Sequence, residues 1–558
     1  MPRPSTGEGG TITVTFNLVD EPWIPVIWRD GRAGEVGLRD ALVHAHEIRE
    51  LVDGSPLVTV SLHRLLLAIL HRNLGPRTFT AWKELWKRGQ WDAAKLDAYF
   101  AAWGHRFDLF DAERPFYQVT QMDDNPQVHP PARLAEERAQ GNNATLFDHN
   151  FRSSPVPMSA ADAARCLVTR QTFAVGGGKS EPFYFCDAPA VVGFVVMAAG
   201  TNFFETLALN LTEYGSGHRI ALSEQDAPIW EQEIPATPER SGTRPRGPVD
   251  YLTWQSRRIR LLADGDPPVV VGCQFAQGLR IDPSTLDSMK PYTRSQQEGW
   301  VARRLDPDRA LWRDSHAILQ ESDAAGRRPD VFNWLARIDE ARLDGDIEAR
   351  SAYEVTIGGL ARNPRNAADV LFWRHERFTV PLAYLHDESL LGKLAVGLTW
   401  AENVGRLLRP GLEQITIDDR RVNVPRPFQV LAEALLPSVG GRPDRKRVDA
   451  VIGHLAPERR YWSKLEVSFR HLLEALPDDQ REDEEYGVVY GEQTLPEWAA
   501  RLRAGAWDAF QEATRGLDRS ARALEAVALA ERELGRRLHQ QLGVHLPRRK
   551  EPSRDPTN

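Results

Sequence analysis

The sequence predicts an α+β fold, in which a large mixed N-terminal domain with long loops precedes a C-terminal four-helix bundle. Three observations support this prediction. At 558 residues the chain is too long for one ordinary hydrophobic core. Up to residue 381, short strand-like and helical segments alternate with loops rich in Pro and Gly, and from residue 382 long amphipathic helices follow. We expect a disordered tail at 1–10, a mixed domain at 11–381, a bundle at 382–545 and a basic disordered tail at 546–558.

The mixed domain shows both kinds of periodicity. Residues 11–29 begin with alternating β-branched side chains and predict a strand that runs into a Pro-bounded turn. Residues 269–281 also predict a strand, whereas 55–74, 91–103 and 304–319 predict helices. The loops between these segments are long for a compact domain, and such loops are uncommon unless they have a function.

The C-terminal part of the sequence repeats one pattern, with apolar residues three or four positions apart over about 20 residues. Short connections between such helices favour a bundle. Thr494 and Glu497 have the spacing of a capping box at one helix start. The four predicted helices are 387–408, 457–476, 494–513 and 520–542.

Composition narrows the protein class. The chain is 42% hydrophobic with 16 Trp and 21 Phe, which indicates packed globular structure. The cysteines are Cys166, Cys186 and Cys273, without a C-x-x-C pair, so we expect neither a cysteine-based zinc site nor a disulfide framework. No signal peptide and no membrane span is predicted, and the expected location is the cytoplasm.

The charge distribution leaves room for contact with nucleic acid. A net charge of −8 argues mildly against a protein that coats nucleic acid by itself. Arginines nevertheless cluster at 239–247, 254–260, 300–309 and 363–377. Most such clusters are solvated surface, but these four could together form a surface that contacts phosphates.

The segment GGGKS at 176–180 resembles the end of a phosphate-binding loop, but the full motif is missing. A P-loop needs glycine where this chain has Phe173, and a helix where Glu181 and Pro182 precede an aromatic run. Two interpretations remain: a bare backbone that lies flat against a close partner, or a flexible surface loop. We find no catalytic or metal-binding motif elsewhere, and expect no enzyme activity, metal or cofactor.

Several segments together resemble the CasA family, the large subunits of the type I-E CRISPR surveillance complex Cascade. The first of these segments is FNLVDEPWIPV at 16–26. Together the segments extend over nearly the whole chain. The resemblance implies a large mixed domain followed by a four-helix bundle, in agreement with the pattern above. The other segments are ERPFYQV (113–119), ATLFDHN (144–150), the glycine triplet, DPDRALWRDSHA (306–317), GGLARNPRNAADVLFWRHERF (358–378) and ERRYWSKLEVSF (458–469).

The resemblance implies that the chain recognises the protospacer-adjacent motif (PAM) in duplex DNA, mainly from the minor groove. The family's glycine loop corresponds to Gly176, Gly177, Gly178 and Lys179. This fits the groove, which at about 6 Å wide admits bare backbone more easily than bulky side chains. The family also places a lysine in the groove. The resemblance implies that Lys290 is its counterpart, with Arg294 as the alternative.

The resemblance further implies a wedge that separates the first base pairs next to the PAM. The corresponding residues are Asn363, Pro364, Arg365 and Asn366, with Pro364 stiffening the turn. Some family members carry glutamine at the wedge tip, and this chain has none there. An ordinary solvated loop is the alternative for this segment.

A third implied contact is with the 5′ end of the guide RNA and the neighbouring backbone subunit. The residues are Phe147, Asp148, His149 and Asn150, where Phe147 would stack or fill a pocket. Some relatives carry a cysteine-rich zinc knuckle, which Cys273 alone cannot form.

The implied partners are the backbone and small subunits of Cascade, the guide RNA, PAM-containing duplex DNA and a recruited helicase-nuclease. The bundle would hold the displaced or target strand and move when the R-loop is complete. Two alternatives stay open: a purely architectural subunit, and a nucleotide-binding enzyme that uses GGGKS.

Overall fold

The structure is a computed structural model that describes residues 15–122, 126–135, 156–215, 219–232, 238–322, 324–363, 366–417, 420–436, 443–483 and 487–546. Several of the predicted features lie outside these residues. They are the tail at 1–10, the RNA-contact candidates Phe147, Asp148, His149 and Asn150, the wedge candidates Pro364 and Arg365, and the C-terminal tail beyond Leu546.

The described chain combines helices and strands, as predicted, and divides into two compact units. Unit 1 consists of the described residues up to Ala310 together with Glu321–Phe378. Unit 2 consists of Leu311–Gln320 together with the described residues from Thr379 onward. The sequence patterns do not predict that Leu311–Gln320 belongs to unit 2 while the residues on both sides of it belong to unit 1.

Twelve strands precede the C-terminal helices among the described residues, most of them short. They are β1 Ile24–Trp28, β2 Ala33–Val36, β3 Ile48–Leu51, β4 Met158–Ser159, β5 Phe194–Ala199, β6 Arg257–Asp264, β7 Val269–Gln277, β8 Tyr292–Ser295, β9 Gly299–Ala302, β10 Gly326–Arg327, β11 Ala352–Asn363 and β12 Asn366–Pro381. They form four three-stranded sheets with the orders β2–β1–β3, β4–β7–β6, β10–β8–β9 and β12–β11–β5.

The helices of the same part of the chain vary from five to 19 residues. They are α1 Leu38–Val43, α2 Pro56–Leu74, α3 Phe79–Arg88, α4 Ala93–Trp103, α5 Ala160–Phe173, α6 Phe203–Asn210, α7 Pro248–Leu252, α8 Ser315–Leu319, which belongs to unit 2, and α9 Asp330–Leu343.

Helix α2 forms the centre of the unit 1 core. Its segment Leu57–His71 is buried throughout, which a helix that is apolar on nearly every face requires. The buried Arg64 within it donates to Asp287 at 3.0 Å, and the Tyr251 hydroxyl donates to the same carboxylate at 3.0 Å. A buried charge needs such partners because its desolvation is costly.

Two predicted elements begin later than expected. Among the described residues the first strand starts at Ile24, after a turn in which Asn17 Oδ1 accepts the Val19 amide at 3.0 Å. Residues 11–14 of the predicted strand lie outside the described residues. In the segment 304–319, a 3-10 turn at Leu311–Asp314 precedes the short α8, and 304–310 are not helical.

Unit 2 contains all four predicted C-terminal helices, and also α11 and α12, which the sequence analysis missed. The elements are α10 Glu388–Leu407, β13 Leu412–Ile417, β14 Arg420–Pro425, α11 Pro427–Leu435, α12 Arg445–Leu455, α13 Pro457–Ala475, β15 Gln480–Asp483, β16 Gly487–Tyr490, α14 Thr494–Thr514 and α15 Ala521–Leu542. Helix α10 packs against α13, α14 and α15, while α13 packs on α14 and α11 on α15. Their organisation as a four-helix bundle remains a prediction.

The capping box predicted at Thr494 does not form. The carboxylate of Asp479 instead accepts the Gln493 amide at 2.9 Å, the Thr494 amide at 2.7 Å and the Thr494 hydroxyl at 2.8 Å. A distant acid therefore satisfies the amides at the start of α14, in the place where a local side chain was expected. Among the described residues, none of the helices has the length and apolarity needed to cross a membrane.

Candidate nucleic-acid interface

The glycine loop, residues 174–180, follows directly from the end of α5. Two internal hydrogen bonds shape it: Gly176 donates its amide to Asp187 Oδ1 at 2.7 Å, and Gly177 donates to the Phe185 carbonyl at 2.8 Å. Gly177, Gly178 and Lys179 are exposed at its tip. The loop is therefore fixed at its base and open at its apex.

Glycine is favoured at all three positions of the triplet, at Gly176 because there is no space for a side chain and at Gly177 and Gly178 because of the backbone conformation. A Cβ on Gly176 would lie 2.8 Å from the Asp187 backbone nitrogen, so no side chain fits there. Gly177 and Gly178 have φ values of 111° and 82°, which side chains rarely adopt. Space is not the constraint at Gly178, because nothing lies within 4 Å of the position that a Cβ would take there.

Hydrogen bonds from Arg257 and Gln277 hold the two ends of the glycine loop. The guanidinium of Arg257 donates to the carbonyl of Ala174 at 3.3 Å and that of Val175 at 3.0 Å. It also lies 4.9 Å from the centre of the Phe185 ring. At the other end of the loop, Ser180 Oγ accepts the Gln277 amide at 2.8 Å. These contacts tie both ends of the loop to β6 and β7.

Asp187 links the glycine loop to the strand that leads to the wedge candidates. While its Oδ1 accepts the Gly176 amide, its Oδ2 accepts Arg362 Nη1 at 2.7 Å. Arg362 lies on β11, immediately before Asn363. The sequence analysis selected neither Asp187 nor Arg362 as a site residue. They are 175 positions apart, and no local pattern connects them.

Lys290 does not face solvent in this structure. The residue is 4% exposed, and its Nζ donates to the carbonyls of Pro189 at 2.5 Å and Val192 at 2.7 Å. Burial lowers the pKa of Lys290 to about 8, although the carboxylates of Asp287 and Asp187 oppose that effect. The ammonium group therefore holds the segment that follows Asp187 in place. The resemblance had implied instead that this lysine extends into the DNA minor groove.

Arg294, the other candidate, is exposed on β8. Its guanidinium lies 5.0 Å from the centre of the Trp300 ring, and that of Arg327 lies 4.4 Å from the same ring. Trp300 is the direct cross-strand partner of Arg294 on β9. Cation–π contact of this kind orients a guanidinium without neutralising its charge.

The described wedge candidates lie where two neighbouring strands of one sheet meet. Asn363 ends β11 and donates from Nδ2 to Asp369 Oδ2 at 3.4 Å, while Asn366 begins β12 and is exposed. Two glycines set the position of β11. A Cβ on Gly358 would lie 2.6 Å from Val60 of α2, and one on Gly359 would lie 3.0 Å from the Gly193 carbonyl.

The surroundings of Ser180 do not resemble a nucleotide site. Residues 181–193 are all described and contain no helix, whereas a P-loop leads directly into one. The part of the chain that the structure describes also contains no group of three or more His, Cys, Asp or Glu side chains placed to hold a metal ion.

Comparison with known proteins identifies the family. The sequence model described as CRISPR-associated protein Cse1 matches residues 17–509. The CRISPR-associated protein CasA/Cse1 of Thermus thermophilus is 31% identical over 547 residues, which cover 94% of this chain and 97% of that protein.

Two solved structures show the same fold. The crystal structure of Thermus thermophilus CasA matches with a TM-score of 0.75 at 28% identity, covering 94% of this chain and 99% of that one. That of Cse1 from Acidimicrobium ferrooxidans has a TM-score of 0.75 at 26% identity and covers 96% and 99%. The chain therefore belongs to the Cse1/CasA family of CRISPR-associated proteins.

Proposed function

We propose that this protein is the non-catalytic large subunit of an RNA-guided type I-E CRISPR surveillance complex, and that its glycine loop recognises the PAM from the DNA minor groove. The observation that carries the proposal is the tip of the loop. Gly177 and Gly178 are exposed, carry no side chains and adopt φ values that favour glycine, on a base fixed by Asp187 and Phe185. Membership of the Cse1/CasA family supports the assignment of the chain as the large subunit of such a complex.

The geometry suits a narrow groove. The minor groove is about 6 Å wide and presents few distinguishing groups, so a slim probe with correct shape is favoured. The amides of Gly176 and Gly177 are already used inside the loop, so these two residues would contribute backbone shape more than hydrogen bonding. Lys179 and Arg294 are the exposed cations for phosphate or groove contacts, and their exposure favours them over the buried Lys290.

Opening of the duplex follows in the proposed mechanism. The connection between β11 and β12, with Asn363, Pro364, Arg365 and Asn366, would insert beside the PAM and separate the first pairs. Unstacking one step costs a few kcal/mol, which contacts to phosphates and bases must offset. The guide RNA then captures the target strand, so the protein reads only the short motif and base pairing reads the rest.

The remaining contacts are proposed on the same basis. Phe147, Asp148, His149 and Asn150 would contact the guide RNA and the neighbouring backbone subunit. The C-terminal helices, organised as a bundle, would help hold a DNA strand, and the assembled complex would recruit a helicase-nuclease. This chain would carry out no chemistry, and the absence of a helix in the described residues 181–193 disfavours the alternative of a nucleotide-binding enzyme.

The test is duplex binding by the reconstituted complex, using a library of duplexes with randomised PAM positions. Gly178→Val should weaken PAM-dependent binding at least about tenfold, because the side chain adds bulk and disfavours the tip conformation. Gly89→Val is the matched control, since Gly89 has a φ of 69°, is exposed and also has nothing within 4 Å of its Cβ position.

The same assay separates the alternatives. Equal binding by the two variants and the unmodified complex, with PAM preference retained, would favour a purely architectural subunit. Melting temperatures of both variants should be similar, because the two glycines occupy comparable conformations.

A further inference from the structure

Tyr184 is a large aromatic side chain that the fold leaves exposed. Among the Phe, Trp and Tyr side chains that the structure describes, only Tyr184 and Trp373 are exposed, at 51% and 40%. Trp373 lies on β12, whereas Tyr184 belongs to the segment that returns from the glycine loop. Tyrosine combines an apolar ring with a polar hydroxyl, and this combination is enriched at interfaces. The position of Tyr184 beside a candidate interface indicates that its ring meets a partner there.

A backbone hydrogen bond places Tyr184 next to the tip of the glycine loop. The Gly177 amide donates to the Phe185 carbonyl at 2.8 Å. Because the chain reverses direction between these two residues, the residue after Gly177 and the residue before Phe185 lie opposite each other. These are Gly178, the exposed glycine at the tip, and Tyr184.

The backbone on both sides of Tyr184 is fixed. Phe183 is 4% exposed, and its ring contacts the Tyr184 ring edge to face, with centres 6.3 Å apart. On the other side, the Cys186 amide donates to Gln277 Oε1 at 2.8 Å. A fixed segment therefore presents the ring to solvent, and a tyrosine side chain has few rotatable bonds, so contact with a partner would cost little conformational entropy.

Cations surround the same segment. Lys179 is exposed at the loop tip, and Arg258 Nη2 donates to the Glu181 carbonyl at 3.2 Å. Burial raises the pKa of the Cys186 thiol, and the charge of Arg280 opposes this effect, so Arg280 lies close to Cys186. These three cations outnumber the one exposed acid of residues 174–187, which is Glu181. Such surroundings favour a partner that carries negative charge, as the phosphates of DNA do.

The proposed function determines what lies beside the glycine loop. The minor groove is about 6 Å wide, and the sugar-phosphate backbones of the two strands form its edges. A side chain directly beside a loop that occupies this groove therefore meets one of these backbones. Tyrosine hydroxyl groups are among the donors that contact phosphate oxygens, and such contacts carry no sequence information directly.

We propose that Tyr184 is a DNA-contact residue at one edge of the minor groove, where its ring packs on a deoxyribose and its hydroxyl donates to a phosphate oxygen. The inference rests on the proposed function, because it takes the glycine loop to lie in that groove. Tyr184 then holds the loop in the groove without selecting the PAM sequence, whereas Gly177 and Gly178 supply the shape that enters the groove.

The experiment measures binding of the reconstituted complex to the most tightly and the most weakly bound duplexes of the randomised PAM library. Tyr184→Ala should weaken binding of both duplexes about tenfold, and Tyr184→Phe, which keeps the ring and loses the hydroxyl, about threefold. The ratio of the two affinities should stay within about twofold of that of the unmodified complex, because the contact is independent of sequence.

Leu343→Ala is the control variant. Leu343 is 67% exposed at the C-terminal end of α9, so its truncation also removes exposed apolar surface. It should leave both affinities within about twofold of the unmodified values. Thermal melting checks that the Tyr184 variants fold, which the exposure of this side chain favours.

Hydroxyl-radical footprinting of the protein shows what covers Tyr184. Oxidation of Tyr184 should persist in the assembled complex without DNA, and it should be lost when the tightly bound duplex is added. Protection that is already present before DNA is added would identify a neighbouring subunit as the partner, and would overturn the proposal.

The outcomes separate this inference from the PAM proposal. Unchanged affinity of Tyr184→Ala for both duplexes, together with weakened PAM-dependent binding by Gly178→Val, would overturn the Tyr184 contact and leave the proposed function intact. Loss of PAM preference in Tyr184→Ala would overturn the sequence-independent contact. If Gly178→Val instead binds like Gly89→Val while Tyr184→Ala weakens both duplexes, the minor-groove assignment fails and the contact of Tyr184 with DNA remains.

Discussion

Asp187 and Arg362 form an ion pair at 2.7 Å that connects the glycine loop to β11. The other oxygen of the Asp187 carboxylate accepts the Gly176 amide, so one side chain holds both segments. In the proposed function, PAM reading and duplex opening are carried out by these two segments. The pair therefore supplies a direct physical connection between the two steps.

The first prediction concerns this pair. Arg362→Gln should lower the free energy of unfolding by about 1 kcal/mol or less, because the pair is partly exposed. It should have a larger effect on R-loop formation by the reconstituted complex, since the β11 end would lose its link to the loop. Urea denaturation and a permanganate footprint of the opened pairs measure the two effects. Arg32→Gln, which breaks an exposed pair with Asp30, is the control.

The second prediction concerns Gly176. Gly176→Ala should destabilise the protein by about 1–3 kcal/mol, because the added Cβ would lie 2.8 Å from backbone that cannot move without displacing Asp187. Gly54→Ala serves as the control, because Gly54 is exposed, has no left-handed φ and its Cβ would meet nothing within 4 Å, so its stability should change by less than about 0.5 kcal/mol. Equal melting temperatures for the two variants would contradict the close packing at Gly176.

The third prediction concerns the pH dependence contributed by Lys290. The folded protein lowers the pKa of Lys290 from 10.5 to about 8 by burial. Between these values the unfolded chain binds more protons than the folded chain, so the Lys290 contribution to folding stability rises with pH. Below about pH 8 both states are protonated, and this contribution is constant.

The matched variant for this test is Lys290→Met, which keeps the approximate length of the side chain and removes the titrating group. The stability of the unmodified protein relative to the variant should increase between about pH 8 and pH 10, as measured by urea denaturation. A difference that is independent of pH would show that Lys290 titrates normally.

The fourth prediction compares two glycines of α10. A Cβ on Gly405 would lie 2.5 Å from the Trp462 ring, so Gly405→Ala should destabilise unit 2 by about 1–3 kcal/mol. A Cβ on Gly392 would meet nothing, so Gly392→Ala should stabilise the same helix by about 0.5–1 kcal/mol. Opposite shifts in melting temperature are expected; shifts of the same sign would refute the contact with Trp462.

Short-range patterns in the sequence determined much of the secondary structure. Apolar periodicity predicts helices at 55–74 and 520–542, and the structure has α2 at Pro56–Leu74 and α15 at Ala521–Leu542. These predictions succeed because apolar periodicity over several turns reflects which face of a helix is buried. The glycine triplet is also recognisable from sequence, because a run of residues without Cβ atoms is itself a local signal.

Only the tertiary structure decided which distant residues meet. The sequence favours Lys290 over Arg294 as the cation that reaches DNA, whereas in the folded chain Lys290 is buried and Arg294 is exposed. Likewise, Asp479 caps α14 and Asp187 joins Gly176 to Arg362, although no spacing indicates either contact. The physical reason is that helix periodicity and backbone conformation are set by neighbouring residues, whereas desolvation and ion pairing depend on which segments the fold packs together.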